Sequence, residues 1–540
     1  MKKRFLRLIA LALVCVLLTG CGGELRIFKD AIYRALASLN SDIPVYAEME
    51  YTRPDMDALE ATLAEAKEAA AGENFDRIID MIWEFYDVYD RFYTDYALAD
   101  IRYSGDLTDS YWEAEYNYCI ENSPRVDAML EELYYALAKS PCLARLEGDD
   151  YFGPGYFDSY QGENNWDEEF TALMERESEL ISRYYELSGN ASAYESGSEE
   201  YYNAFFTDTA QVLVDLICLR REIAAYWGYD SYTEFAAEYY YYRDYTAAES
   251  EAYLEQIREE LVPLYRQVSL SGIWDDSYDY SSEKQTYAYV AEMAESMGGT
   301  VQEAFRVMDL GGLYDIRYGE NKYPSSFETY LNSYYVPFVF LDPTMTTYDQ
   351  LVFAHEFGHF CNDYASGCSY AGVDVLEIFS QGMEYLSLCY VEDTAQLTKL
   401  KMVDSLSLYV EQSAFASFEM QMYEIPPEEL TVEALEELYD RVAGEYGFES
   451  VGYDPREFIT INHYYTNPMY IISYVVSNDA AMQLYQMERS VPGSGLAILE
   501  ENLTTEESYF LAFLRRAGLE SPFAEGRIRE VRETFEAILE

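Results

Sequence analysis

The sequence predicts a mainly α-helical protein. Two observations carry that expectation: apolar residues recur at helical spacing through long Ala-, Glu-, Leu- and Tyr-rich stretches, and a single short segment has strand composition. The 540 residues are 49% hydrophobic and 16% aromatic, so the chain is globular and too long for one compact unit.

Taken in order, residues 1–20 read as a signal peptide. Lys2, Lys3, Arg4 and Arg7 form a basic start, and residues 8–18 are an apolar run too short to span a membrane comfortably. The run ends at Leu18-Thr19-Gly20-Cys21, which resembles the bacterial lipobox, with an ordinary signal peptide or a short anchor as the alternative. Cys21 is then expected to be the diacylated first residue of an extracytoplasmic protein, lipid-anchored to the bacterial cell membrane. No later run of about 18 apolar residues follows, so the body is expected to be soluble.

Residues 25–139 have the pattern of amphipathic helices; after Pro54, residues 55–67 place apolar side chains at helical spacing. Residues 143–166, with Gly148, Gly153-Pro154-Gly155 and Gly162, read as an irregular loop. Helices resume at Trp166, and Gly189 with Ser196-Gly197-Ser198 marks a break. The boundary is placed there, giving an N-terminal helical region over 21–198 and a helical catalytic domain over 199–540. Within the latter, Tyr334-Tyr335-Val336-Pro337-Phe338-Val339-Phe340 is strand-like, and Pro337 suits an edge strand better than a central one.

Asp plus Glu number 99 against 36 Lys plus Arg, a formal net charge of −63. Such a field repels nucleic acid, which is excluded as a partner. Eight cysteines include Cys15 in the signal and Cys21. The other six (Cys119, Cys142, Cys218, Cys361, Cys368 and Cys389) show no CxxC pair, which argues against a thiolate zinc site and leaves disulfides open.

There are three histidines, and two form His355-Glu356-Phe357-Gly358-His359, a complete HExxH. On a helix, positions four apart share a face, so both imidazoles can ligate one metal, with Glu356 placed to act as general base on water. Thr347-Tyr348-Asp349-Gln350 resembles a capping box, a buried apolar run follows, and Gly358 allows another backbone to pack close. A catalytic zinc needs a third protein ligand. Downstream, Glu377 and Glu384 stand seven apart on nearly one helical face, and either can reach the metal; Asp374 with Glu377 can instead cap a helix. Cys361, two residues after His359, points away from that face. No histidine is available there, which excludes a three-histidine site. The third histidine, His463, precedes Asn467-Pro468, a natural helix start that would put Tyr470 and Tyr474 one turn apart. Phenol and imidazole donors of this kind can stabilise an oxyanion.

These residues resemble the M3 family of zinc peptidases, the thimet oligopeptidase and oligoendopeptidase F group. The resemblance rests on His355-Glu-Phe-Gly-His359, on Asp374-x-x-Glu377-x-x-Ser380-Gln381-x-x-Glu384, and on His463, Pro468, Tyr470 and Tyr474. Leu219 to Tyr232 is similar to the family's segment near the start of its catalytic region. The likeness spans roughly residues 200–540. It implies a two-lobed helical zincin-type fold with a deep central cleft, and a small β-sheet near the active site whose edge binds the peptide backbone. It also implies one zinc per chain held by His355, His359 and Glu377, with His463, Tyr470 and Tyr474 binding substrate. Two departures stand out. Glu377 follows His359 by 18 residues, closer than is usual in the family, and Thr466-Asn467-Pro468 replaces a glycine-rich hinge that some relatives carry.

The expected function is a zinc endopeptidase cutting short, unfolded oligopeptides. The alternatives are a helical HExxH carboxypeptidase and a lipoprotein that binds peptides without cutting them, and the intact Glu356 argues against the latter.

Overall fold

Asp55, directly after Pro54, accepts a hydrogen bond from the Ala58 amide at 3.1 Å and starts helix α1 (Met56–Ala70). Met56, Leu59, Leu63, Ala66 and Ala70 form its buried stripe. Asn74 and Asp109 cap α2 (Phe75–Gly105) and α3 (Ser110–Ala138) in the same way. The three helices pack on one another around Leu63, Ile78, Phe85, Leu133 and Leu137.

The computed structural model describes residues 43–539 apart from 149–150, 163–167, 192–193, 195–196, 272–277 and 370. The expected signal peptide and the lipid-bearing Cys21 lie outside the described residues. Among the described residues no helix is long and apolar enough to cross a membrane. Cys119, Cys142, Cys218 and Cys389 are free thiols.

Two compact units are formed, each from separate stretches of chain. The first comprises Met1–Asn164, Ser281–Met345 and His359–Ser369. The second comprises Asn165–Tyr280, Thr346–Gly358 and Tyr370–Glu540. Within the second unit, Gly197 takes the left-handed region at φ +75°. There the Glu168–Ala191 helix packs against α4 (Glu199–Tyr226).

In the first unit, β1 (Tyr314–Asp315), β2 (Phe327–Leu331) and β3 (Val336–Phe340) form a sheet in the order β1-β3-β2. β3 is parallel to β1 and antiparallel to β2, so the strand expected at an edge is the central one. Pro337 is tolerated for a local reason. The amides of Val339 and Leu341 donate toward β1, to the carbonyls of Leu313 and Asp315, so the nitrogen of Pro337 faces the same side. β1 pairs only with Val339 and Phe340, and Pro337 lies past its end, where no donor is required. β2 packs on α2, tied by the Ser333 amide to Thr94 Oγ1 at 2.7 Å and the Tyr323 amide to the Ser104 carbonyl at 2.8 Å.

The second unit contributes α5 (Tyr348–Ser366, as far as Gly358), α6 (Val373–Tyr390), α7 (Ala395–Ser407), α8 (Ser413–Met422) and α9 (Ile472–Ser490). Its most extensive packing is α6 against α9, with Val375, Phe379, Met383, Val475, Ala480 and Met482 buried.

Candidate active site

Helix α5 carries the HExxH. Its cap is shifted by one residue from the expected box: the Thr346 amide donates to Asp349 Oδ2 at 3.2 Å, and Thr346 Oγ1 accepts from the Tyr348 amide at 3.3 Å. One turn of helix separates His355 from His359. With Glu377 of α6, each offers one ligand atom, and the three atoms lie within 4.8 Å of one another. His355 Nε2 stands 3.7 Å from Glu377 Oε2. Helix α6 comes this near because residue 358 is glycine: a Cβ there would meet the Phe379 carbonyl oxygen at 2.5 Å and Ser380 Cα at 2.6 Å.

Glu384 takes a different place from Glu377. Its Oε1 lies 2.8 Å from His355 Nδ1, and its Oε2 accepts from Lys401 Nζ of α7 at 2.7 Å. A carboxylate only accepts, so Nδ1 carries the hydrogen and Nε2 keeps its lone pair when the ring is neutral. Burial disfavours charge on His355, but the hydrogen bond and charge of Glu384, with Glu356 and Glu377, raise its pKa to about 9. Burial likewise works against the Glu384 carboxylate, yet Lys401 and His355 bring it down to about 2. Glu356 is pushed up to about 7 by burial, against the pull of His355.

Helix α6 starts at Gly372, and neither Asp374 nor Glu377 caps it. Asp374 accepts from Ser473 Oγ, from Tyr245 OH at 2.8 Å and from Arg243 Nε at 3.4 Å. Glu377 accepts from Ser380 Oγ at 3.0 Å through Oε2 and from Tyr470 OH at 3.0 Å through Oε1. Asp374 therefore ties α6 to α9.

Asn467-Pro468 does not begin a helix. His463 opens the short helix His463–Thr466, Met469 turns the chain at φ +67°, and α9 starts only at Ile472. Tyr470 thus precedes the helix that carries Tyr474, yet the turn still brings the rings together. The centroids of His463, Tyr470 and Tyr474 lie 5.1 to 5.8 Å apart, and Tyr474 OH is 3.4 Å from His463 Nε2. Burial lowers the pKa of His463, keeping the ring neutral. Burial and the charge of Glu377 raise both tyrosines, which stay protonated as donors.

The donor set fits zinc. Two imidazoles and a carboxylate are its usual protein ligands in catalytic sites. Glu356, Glu377 and Glu384 hold a positive charge on the His355 ring, the sign of charge a divalent cation brings. The helical spacing left Glu377 and Glu384 as alternatives, the family resemblance pointed to Glu377, and nothing singled out Lys401. The available signal was a lysine among apolar neighbours in a chain where acids outnumber bases 99 to 36.

Residues 46–166 match the peptidase M3 N-terminal domain. The match ends beside residue 164, where the first unit's opening stretch stops. No match is found among curated proteins. Several solved structures share the fold. PZ peptidase A, solved with an inhibitor, is 21% identical, with a TM-score of 0.76 over 91% of this chain and 98% of its own. A protein provisionally named oligoendopeptidase F from Bacillus anthracis str. Ames is 21% identical, with a TM-score of 0.72 over 92% of this chain and 98% of its own. Another, also provisionally named oligoendopeptidase F, is 22% identical, with a TM-score of 0.75 over 92% and 98%.

Proposed function

We propose that this chain is a zinc-dependent endopeptidase of the M3 type that hydrolyses peptide bonds in short, unfolded oligopeptides. The observation that carries the proposal is the gathering of His355, His359 and Glu377 ligand atoms within 4.8 Å, with Glu356 between the two histidines on the same helix. The peptidase M3 match over residues 46–166 and the fold shared with PZ peptidase A support it.

His355, His359 and Glu377 would hold the zinc, which supplies Lewis acidity toward water and the scissile carbonyl. Glu384 fixes the His355 ring through Nδ1, and Lys401 fixes Glu384. Glu356, buried and with its pKa raised to about 7, takes the proton from the attacking water and delivers it to the leaving amine. Tyr474 and His463 present neutral donors to the carbonyl oxygen as it gains negative charge. Tyr470, whose hydroxyl reaches Glu377, steadies that carboxylate and borders the same space.

The test uses soluble protein beginning after Cys21 and a library of short peptides, with products read by mass spectrometry. Internal cleavage that stops with a chelator, returns with zinc and is absent in Glu356→Gln is the expected result. Trimming from the C-terminus would favour the carboxypeptidase alternative; bound zinc without cleavage would favour the peptide-binding one; absence of bound zinc would overturn the ligand set. We further propose that Cys21 is diacylated and holds the mature protein at the outer face of the bacterial cell membrane. Incorporation of labelled palmitate that is lost in Cys21→Ala would bear on that proposal alone.

A further inference from the structure

The turn that carries Tyr470 has an unusual construction. It runs Thr466-Asn467-Pro468-Met469, and the left-handed position falls on Met469 at φ +67°. A residue with a Cβ resists that conformation, so something outside the turn must hold it. Four groups of the second unit do so. Arg220 of α4, fully buried, donates to the Tyr464 carbonyl at 2.6 Å and to the Tyr465 carbonyl. Tyr241 OH donates to the Pro468 carbonyl at 2.8 Å. Arg243 Nη2 donates to Ser473 Oγ at 2.9 Å. The fourth is Glu419 of α8, 1% exposed, whose Oε1 accepts from the Met469 amide itself at 2.7 Å. Glu419 Oε2 finds no hydrogen-bond partner among the described residues. A buried carboxylate that makes a single hydrogen bond, to the one left-handed residue of the turn, is an expensive way to support mere packing.

We propose that Glu419 is a positioning residue: through the Met469 amide it sets the conformation of the turn and so aims Tyr470 and Tyr474 at the candidate zinc site. What the aim accomplishes rests on the peptidase reading; the hydrogen bond itself does not. It also separates two properties of Glu419. The acceptor must reach the Met469 amide; the negative charge is dispensable. Glutamine keeps the reach without the charge, aspartate keeps the charge one methylene short, and alanine removes both.

The experiment compares Glu419→Gln, Glu419→Asp and Glu419→Ala with wild type in the full soluble chain. Three quantities are read: hydrogen exchange of a peptide covering residues 466–474, zinc bound per chain, and kcat and KM on a peptide that wild type cleaves. In Glu419→Asp and Glu419→Ala, exchange of that peptide is expected to quicken on the order of tenfold while the rest of the second unit keeps its protection. Zinc content stays at the wild-type level. The kcat falls by on the order of ten- to a hundredfold, with KM changed by less than about threefold. Glu419→Gln behaves as wild type in all three. Exchange over 466–474 that is unchanged in Glu419→Asp, or a Glu419→Gln as defective as Glu419→Ala, would overturn the proposal. Should Glu419→Ala fail to fold, the Gln and Asp pair still decides it. Were wild type to cleave no peptide, exchange would still settle whether Glu419 holds the turn, and only the peptidase reading would fall.

Discussion

At the scale of single residues, the pairing of Glu384 with both His355 Nδ1 and Lys401 Nζ makes a definite claim about metal affinity. Replacing a carboxylate that orients a ligating histidine typically weakens metal binding by about 10- to 100-fold. Glu384→Gln is therefore expected to release zinc to a competing chelator at correspondingly lower chelator concentration, with the fold intact by circular dichroism. Glu419 makes a second claim, in pH. Burial raises its pKa from the ordinary 4.5 to about 7, although the Met469 amide, Arg220 and Arg243 oppose the rise; Tyr241, Tyr423 and Tyr464 also face it. Because folding raises this pKa, its stabilisation is complete below about 4.5 and is lost as pH climbs through 7. Glu419→Gln, which has no such proton, should gain in melting temperature relative to wild type between pH 5.5 and 8. At this scale the sequence was informative where residues are rare. Two of only three histidines sit four apart, and the site is there. Spacing alone did not separate Glu377 from Glu384, because seven residues of helix put both on one face, and only the family resemblance pointed to Glu377.

At the scale of elements, the crossing of α5 and α6 depends on residue 358 having no side chain. A methyl group at Gly358 would stand 2.5 Å from a main-chain oxygen, and main chain yields less readily than a side-chain tip. Gly358→Ala is expected to lower stability by about 1–3 kcal/mol and to reduce zinc content, read by thermal unfolding and metal analysis. The helices after Pro54 and around the HExxH could be read locally, since spacing, caps and apolar stripes all lie within the segment that folds. The start of α9 could not. Asn467-Pro468 carries a sound local signal for a helix, and a distant carboxylate on α8 overrides it by holding Met469 left-handed. Similarly, Pro337 suggested an edge strand, but its tolerance in β3 depends on where β1 stops, which no local pattern contains.

At the scale of the whole molecule, a formal charge of −63 means strong self-repulsion in the folded state. Salt shortens the reach of that repulsion, from about 30 Å at 0.01 M to about 8 Å at 0.15 M. The melting temperature is expected to rise over that range, and cleavage of lysine- and arginine-rich peptides to slow relative to neutral ones. The division of the chain was the least legible feature. Residues 281–345 join the first unit through contacts with α2 that are far away in sequence. That discontinuity has a consequence for how the protein is made. The ribosome delivers α1, α2 and α3 well before the strand that lies against α2, and residues 165–280 of the second unit are synthesised in between. Until residue 331 has emerged, the face of α2 that receives β2 is uncovered, and α1, α2 and α3 are held by the core they share with one another.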